Sequence, residues 1–450
     1  MTYLASNERL RRSDPSRGYR IRQLASPERS GELLLLLAFS GGGTRAAAFA
    51  YGALEELAQT WAWVGGRRRR LLDEVDAVSG VSGGSFTAAY FALHGDRIFE
   101  DFEPRFLRRN VQLRMLSQLL LPQNWVRLFS TYFERTELAA EYFDRELFDG
   151  ATFGDLEGRA GAPWLLINAT DLSIGDRFGF TQEQFDLICS DLSRFKIARA
   201  VTASSAVPLL LSAVILRNHA GRCDYEPPAW LEAALRDPGG STRRAARARR
   251  VASYFDSERR RFIHLLDGGI SDNLGLRGPL DSLFERIDPE APVEIAGHAS
   301  VREVAIVVVD AATQPAGRFD AVDYAPPLAA VLDAVTSVQL NRYSFETLEL
   351  VRATLGRAVE QLSTPERPVH FRLIDLSFDA VADPAARAAL NQIPTRLSLS
   401  AESVDRLRGA AREALRRSPA FHELLAALRA ASPHGATEPA AVHEDPAAIR

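Results

Sequence analysis

The chain opens polar and then turns abruptly apolar. Residues 33–39 (Leu-Leu-Leu-Leu-Leu-Ala-Phe) form an unbroken apolar run ending at a glycine cluster, which predicts a short strand buried on both faces. Residues 45–60 have helical composition and set Phe49, Leu54 and Leu57 on an inner face. Residues 75–78 predict a second short strand, followed by a turn at 80–84 and a helix through 86–93. Strand, glycine turn and helix, twice in succession, predict a mainly parallel α/β sheet. Further strands are expected at 164–169, 262–266 and 304–309. A long helix at 328–362, a strand at 369–378 and a closing helical pair come after them, with Val404, Leu407, Ala411 and Leu415 at helical spacing.

This pattern divides the chain into a polar arm (1–30), an α/β domain (31–312), a mainly helical C-terminal extension (313–431) and a disordered Pro/Ala-rich tail (432–450). Two insertions interrupt the domain, near 102–149 and 217–261. The first carries Leu116, Leu119, Leu120, Leu121, Trp125, Phe129 and Phe133, and reads either as helices packed on the sheet or as a lid that docks on a membrane. The arm has no apolar stretch leading to a small-residue cleavage site, so no signal peptide is read there. The uncharged run 200–216 is too short and too polar for a membrane span and is expected in the core. The location these features suggest is cytoplasmic or peripheral to a membrane.

Composition narrows the function classes. With 450 residues, 46% of them hydrophobic and 25% charged, the chain can bury a core without metals or disulfides. A net charge of −4 argues against a general nucleic-acid binder. Of the 54 basic residues only Lys196 is a lysine, which in an alanine-rich chain reads as genome composition. Cys189 and Cys223 show neither a CxxC pair nor a ladder of spacings, so neither zinc nor a disulfide framework is expected, and both read as small buried side chains.

Three glycine-containing segments carry candidate chemistry. Gly80-Val81-Ser82-Gly83-Gly84 matches G-x-S-x-G, a sharp strand-to-helix turn that lifts a serine hydroxyl clear of the sheet, near the positive end of the next helix. Ser40-Gly41-Gly42-Gly43-Thr44-Arg45 opens the preceding helix, where backbone N–H groups can approach an anion. No P-loop lysine follows, and Ala46 stands where a dinucleotide fingerprint needs its last glycine, so an oxyanion is the better guest than a phosphate. Asp267-Gly268-Gly269 follows an apolar run, which sets the aspartate at a strand's carboxyl end. Taken singly, each segment is also an ordinary turn.

In this order the three segments, with Ala203-Ser204-Ser205-Ala206-Val207-Pro208, resemble the patatin-like phospholipases over roughly residues 33–276. Ala46 replaces that family's usual glycine, inside the helix start rather than in the loop. The resemblance implies a three-layer α/β fold and a lipid acyl hydrolase with a Ser–Asp dyad. Ser82 would be the nucleophile, Asp267 the general base, and Gly41, Gly42 and Gly43 the oxyanion hole, with Arg45, Gly80, Gly84, Gly268 and Gly269 supporting them. It implies no metal and no organic cofactor, a lipid acyl ester such as a phospholipid as substrate, and peripheral membrane contact.

Two rivals remain. An α/β-hydrolase would add a histidine after the aspartate, but His298, His370, His422, His434 and His443 stand in no recognisable loop motif, and His264 precedes Asp267 by three. A non-catalytic lipid- or partner-binding protein could keep the same fold. Arginines 243, 244, 247, 249, 250 and 259–261 read either as a solvated helix face or as a contact for anionic headgroups.

Overall fold

The computed structural model describes residues 7–24, 26–119, 135–208, 210–236, 243–280, 300–314, 323, 325 and 327–431. The apolar run forms strand β1 (Leu33–Phe39), buried along nearly its whole length. A strand with no polar face belongs inside a sheet, and β1 lies there. The other strands of this sheet are β2 (Val75–Val81), β3 (Trp164–Asp171), β4 (Asp176–Gly179), β5 (Val214–Arg217), β6 (Phe262–Asp267), β7 (Glu303–Val309) and β8 (His370–Leu376). Their order is β8-β7-β1-β2-β3-β6-β5, with β4 paired to β3. From β8 to β3 all neighbours are parallel. β6 runs antiparallel to both β3 and β5, and β4 antiparallel to β3, so the sheet is mixed.

Helices α1 (Gly43–Gln59), α2 (Gly83–His94), α3 (Val111–Leu119), α4 (Arg135–Phe143), α5 (Ile197–Ser204), α6 (Arg243–Ala252), α7 (Leu328–Leu362), α8 (Ala401–Arg417) and α9 (Pro419–Ala430) surround it. Phe49, Leu54 and Leu57 of α1 join the core formed with Leu37 and Val307. On the opposite face Leu348, Val351 and Leu355 of α7 cover Ala38, Ile306 and Val308. Alternate residues of β1 and β7 thus serve two helical layers, as the pleat requires.

Several expectations change. β2 runs on through Val81, because Ser79 and Gly80 pair with β1 on one side and β3 on the other, so the ladder continues where apolar character stops. The mainly helical C-terminal region packs on the domain as expected, with α8 along α1, and its strand β8 joins the sheet itself beside β7. Cys189 and Cys223 are bonded to each other, Cα to Cα 5.5 Å, which reverses the reading of two independent buried thiols. The run 200–216 is only half core, since Val207 and Leu210 are exposed. The arginine-rich insertion is more than a solvated face: Arg247 and Arg250 reach Asp176 at 2.8 and 2.7 Å, and Arg260 pairs with Asp171 while lying over the Tyr254 ring. The tail 432–450 and Leu120, Leu121, Trp125, Phe129 and Phe133 lie outside the described residues, as do the side chains of Leu116 and Leu119.

Candidate active site

β2 passes into α2 through Ser82, whose φ of 48° and ψ of −122° an L-residue rarely adopts. Such a conformation persists only where its surroundings over-determine it. Here Ser82 N–H donates to Ser204 Oγ at 2.8 Å, and Ser204 Oγ in turn donates to Asn168 O at 2.6 Å. Ser85 donates to Ser82 O from both its amide (3.0 Å) and its hydroxyl (2.6 Å). The turn also needs glycine at position 83, because a Cβ there would lie 2.0 Å from Gly43 O. Gly80 packs on Ser85 and Ala88, and Gly84 on the carbonyls of Phe39 and Ser40, so the two motif glycines seat α2 against β1 and β2.

Asp267 is the last residue of β6, as expected, but β6 is antiparallel, so its carboxyl end does not point to the edge where β1 and β2 end. Register brings the pair together instead. Val81 lies beside Asn168 of β3, and Asp267 beside the next residue, Ala169, on the other side of that strand. Ser82 and Asp267 therefore meet across the end of β3. Ser82 Oγ donates to Asp267 Oδ2 at 2.7 Å, and Gly269 N–H donates to Oδ1 at 2.8 Å. Both residues are 7% exposed. Burial pushes the Asp267 carboxyl up to about 6, against the opposing pull of those two donors. Gly268 lies against Asn168 O and donates its N–H to Ser204 O at 3.0 Å.

The glycine loop follows β1, which stands between β2 and β7, the point where the order of the parallel strands reverses. Its three glycines are not equivalent. Gly41 N–H already donates to Asn273 O at 3.0 Å, so Gly41 leaves the expected set of free donors. The amides of Gly42 (φ 138°) and Gly43 have no acceptor among the described residues and stand at the open start of α1. Arg45, 5% exposed, ties that start down by donating to Ala311 O at 2.9 Å and Ile393 O at 2.7 Å. Burial lowers its guanidinium to about 10, with Asp310 opposing.

Over Ser82 opens a cavity of about 290 Å³. Met115, Leu138, Ala139, Val207, Leu210, Leu211 and Leu397 give it apolar walls, and Gln112, Arg135 and Arg396 add polar ones. Sequence reasoning did not find Asn168, Asn273 or the strip 395–397, where Arg396 O accepts the Thr44 N–H at 2.8 Å. The Asp272-Asn273 pair just after the Asp-Gly-Gly turn was the only available signal, and nothing local marks 395–397. Among the described residues no histidine hydrogen-bonds Ser82 or Asp267. His264 sits on β6, His370 begins β8, and His422 of α9 lies 2.6 Å from Arg416 O. His298, His434 and His443 lie outside the described residues.

A strained serine bonded to a buried aspartate, beside a glycine loop in a three-layer α/β fold, defines a class of protein. The chain belongs to the patatin-like phospholipase family, whose model matches residues 37–280. Solved structures similar to it include human GIVD cytosolic phospholipase A2 in complex with methyl γ-linolenyl fluorophosphonate, at 14% identity and TM-score 0.40 over 89% of this chain and 60% of that one. VipD from Legionella pneumophila is similar at 13% identity and TM-score 0.34, over 89% of this chain and 67% of that one. The chain thus spans about three fifths of the length of the human phospholipase. A comparison with curated proteins finds no match. No described helix is long and apolar enough to cross a membrane.

Proposed function

We propose that the protein hydrolyses lipid acyl esters, phospholipids among them, through Ser82 and Asp267. The observation that carries this reading is the 2.7 Å bond from Ser82 Oγ to Asp267 Oδ2, at a carboxyl raised to about 6. An ordinary aspartate, near 3.9, is a weak base toward an alcohol, so a raised pKa brings its basicity closer to what the step needs. Ser82 Oγ attacks the ester carbonyl carbon as its proton passes to Asp267 Oδ2. The tetrahedral oxyanion lies against the Gly42 and Gly43 amides, where each donor contributes about 2.7–4 kcal/mol. Collapse expels the alcohol, which takes the proton from Asp267, and leaves the acyl chain on Ser82. Water then attacks the acyl-enzyme as Asp267 accepts its proton, the acyl–Oγ bond breaks with Asp267 returning that proton to Ser82 Oγ, and fatty acid leaves.

The apolar walls over Ser82 suit an acyl chain, and the exposed Arg135 and Arg396 suit an anionic headgroup. Leu113, Val207 and Leu210, exposed by 62%, 37% and 68%, offer apolar contacts for peripheral docking on a lipid surface. The test is fatty-acid release from mixed phospholipid vesicles by wild type, Ser82→Ala and Asp267→Asn, each checked for folding by circular dichroism. Release by wild type alone supports the dyad. Substantial activity in Asp267→Asn would sink it and return attention to a histidine. A wild-type protein that neither releases fatty acid nor labels with a fluorophosphonate would instead be a binding protein.

A further inference from the structure

A second cavity, about 630 Å³ against about 290 Å³ for the one over Ser82, lies beside the first half of β3. Leu166, Val251 and Trp230 give it an apolar wall, and Arg20, Arg177 and Arg247 line it with positive charge. Its rim is built rather than incidental. Asp224 and Tyr225 follow Cys223 directly, and the bond to Cys189 staples that segment to the turn after Leu187.

Among the described residues, two uncharged buried donors of this lining lack acceptors. Trp164 Nε1 and Gln184 Nε2 find no hydrogen-bond partner there, although their residues are only 7% and 6% exposed. Buried polar groups are almost always paired, so two orphans of the same sign in one cavity point to an acceptor supplied from outside the chain. The acids of the lining do not meet this need. Asp186 is held by Arg20 at 2.6 Å and Gln182 at 2.8 Å, Glu183 accepts from Ile21 N–H at 3.1 Å, and Asp224 and Glu226 are exposed at the rim. Arg20 spends Nε and Nη2 on Arg17 O, Asp14 O and Asp186, and among the described residues its Nη1 stays available to a second acceptor, because a guanidinium carries five N–H groups.

We propose that this cavity binds a single-chain fatty acid, its carboxylate accepting from Trp164 Nε1 and Gln184 Nε2 and its chain lying on the apolar wall. The lipid-hydrolase reading bears on this only as one source of the ligand; the binding itself needs no turnover. The site shares a strand with the reaction centre. Trp164, Leu166 and Asn168 alternate along one face of β3, and Asn168 O anchors the Ser204 hydroxyl that holds Ser82.

The test is quenching of tryptophan fluorescence in the full chain by 9,10-dibromostearate, since Trp164 and Trp230 line this cavity and no described residue lining the other is a tryptophan. Saturable quenching is expected, most of it lost in Trp230→Phe. With Trp230 as reporter, Trp164→Phe combined with Gln184→Leu should weaken binding at least tenfold without lowering the thermal midpoint. If that pair unfolds the protein, Gln184→Glu, nearly isosteric, sets a negative charge against the carboxylate and should weaken binding as much. The methyl ester of the same acid should also bind at least tenfold more weakly. Absence of saturable quenching, an unchanged Kd in the variant that folds, or equal binding of the ester would each overturn the assignment. None of these readouts depends on hydrolysis, so failure here is distinguishable from failure of the Ser82–Asp267 reading.

Discussion

Asp267 is a carboxyl held where it resists ionisation, and two consequences follow from that one fact. As the proposed base it must be ionised, so kcat/KM on a soluble ester is expected to rise with pH along a limb centred near 6, the value to which burial pushes it. A limb near 4 would mean that another group limits the rate. The same shift acts on stability with the opposite sign. The folded state holds this proton more tightly than the unfolded chain does, so stability is lost as pH rises from about 4 through about 6, and the deficit is complete above that. Two pKa units correspond to roughly 3 kcal/mol, so Asp267→Asn is expected to be inactive yet more stable than wild type by about 1–3 kcal/mol at pH 8. That advantage should shrink toward pH 4.5, which thermal melts at the two pH values will show. Ser204→Ala removes the acceptor of the Ser82 N–H, and leaving that amide buried and unpaired costs about 1–3 kcal/mol. Fluorophosphonate labelling of Ser82 should slow by about tenfold or more in this variant, while a merely peripheral Ser204 would leave the labelling rate unchanged. At this scale Ser82 and Asp267 were legible because their flanking glycines are local features of the sequence. Ser204 was visible only as part of a motif, Asn273 only through its place just after the Asp-Gly-Gly turn, and Asn168 not at all, since its backbone carbonyl and its amide bonds to Ser79 and Gly80 are made across strands and leave no local signature.

Most elements were legible for a similar reason. β1 and α7 announce themselves because an apolar run or a long periodic stretch reflects local physics. β6 was foreseen as a strand, but its direction was not, because hydropathy is the same read either way. The packing of α8 on α1 is equally silent in sequence and depends on a close approach. A Cβ on Gly52 of α1 would lie 2.4 Å from Arg408 O and 2.7 Å from its Cα. Around this contact Arg416 grips the fully buried Glu56 with bonds of 3.0 and 2.8 Å, and Arg408 reaches Glu55 at 2.7 Å. Gly52→Val should therefore force the helices apart. A loss of about 1–3 kcal/mol in thermal or denaturant unfolding is expected, with earlier proteolytic cleavage near 401–417. Wild-type stability in that variant would show that α8 yields without cost.

Over the whole molecule, the chain closes on the candidate site from three distant places. The glycine loop, Ser82 at the end of β2 and the strip 395–397 meet around one cavity, though Gly43 and Arg396 are separated by most of the chain. The Cys189–Cys223 bond closes a loop of 34 residues, for which chain entropy predicts about 3–4 kcal/mol of stabilisation. Cys189→Ser with Cys223→Ser should lower the thermal midpoint, and reductant should lower wild type toward the same value while leaving the variant unmoved. By itself the sequence determined which segments are strands and helices, where the sharp turns lie, and which serine and aspartate belong to them. Each of these follows from side-chain periodicity and backbone freedom within a few residues. Only the tertiary structure decided that β6 runs antiparallel, that β8 belongs to the sheet, that the two cysteines are partners, and that Gly41 is already engaged while Gly42 and Gly43 find no acceptor among the described residues. Those outcomes depend on register and on contacts between residues far apart in the chain, and no local window of sequence carries them.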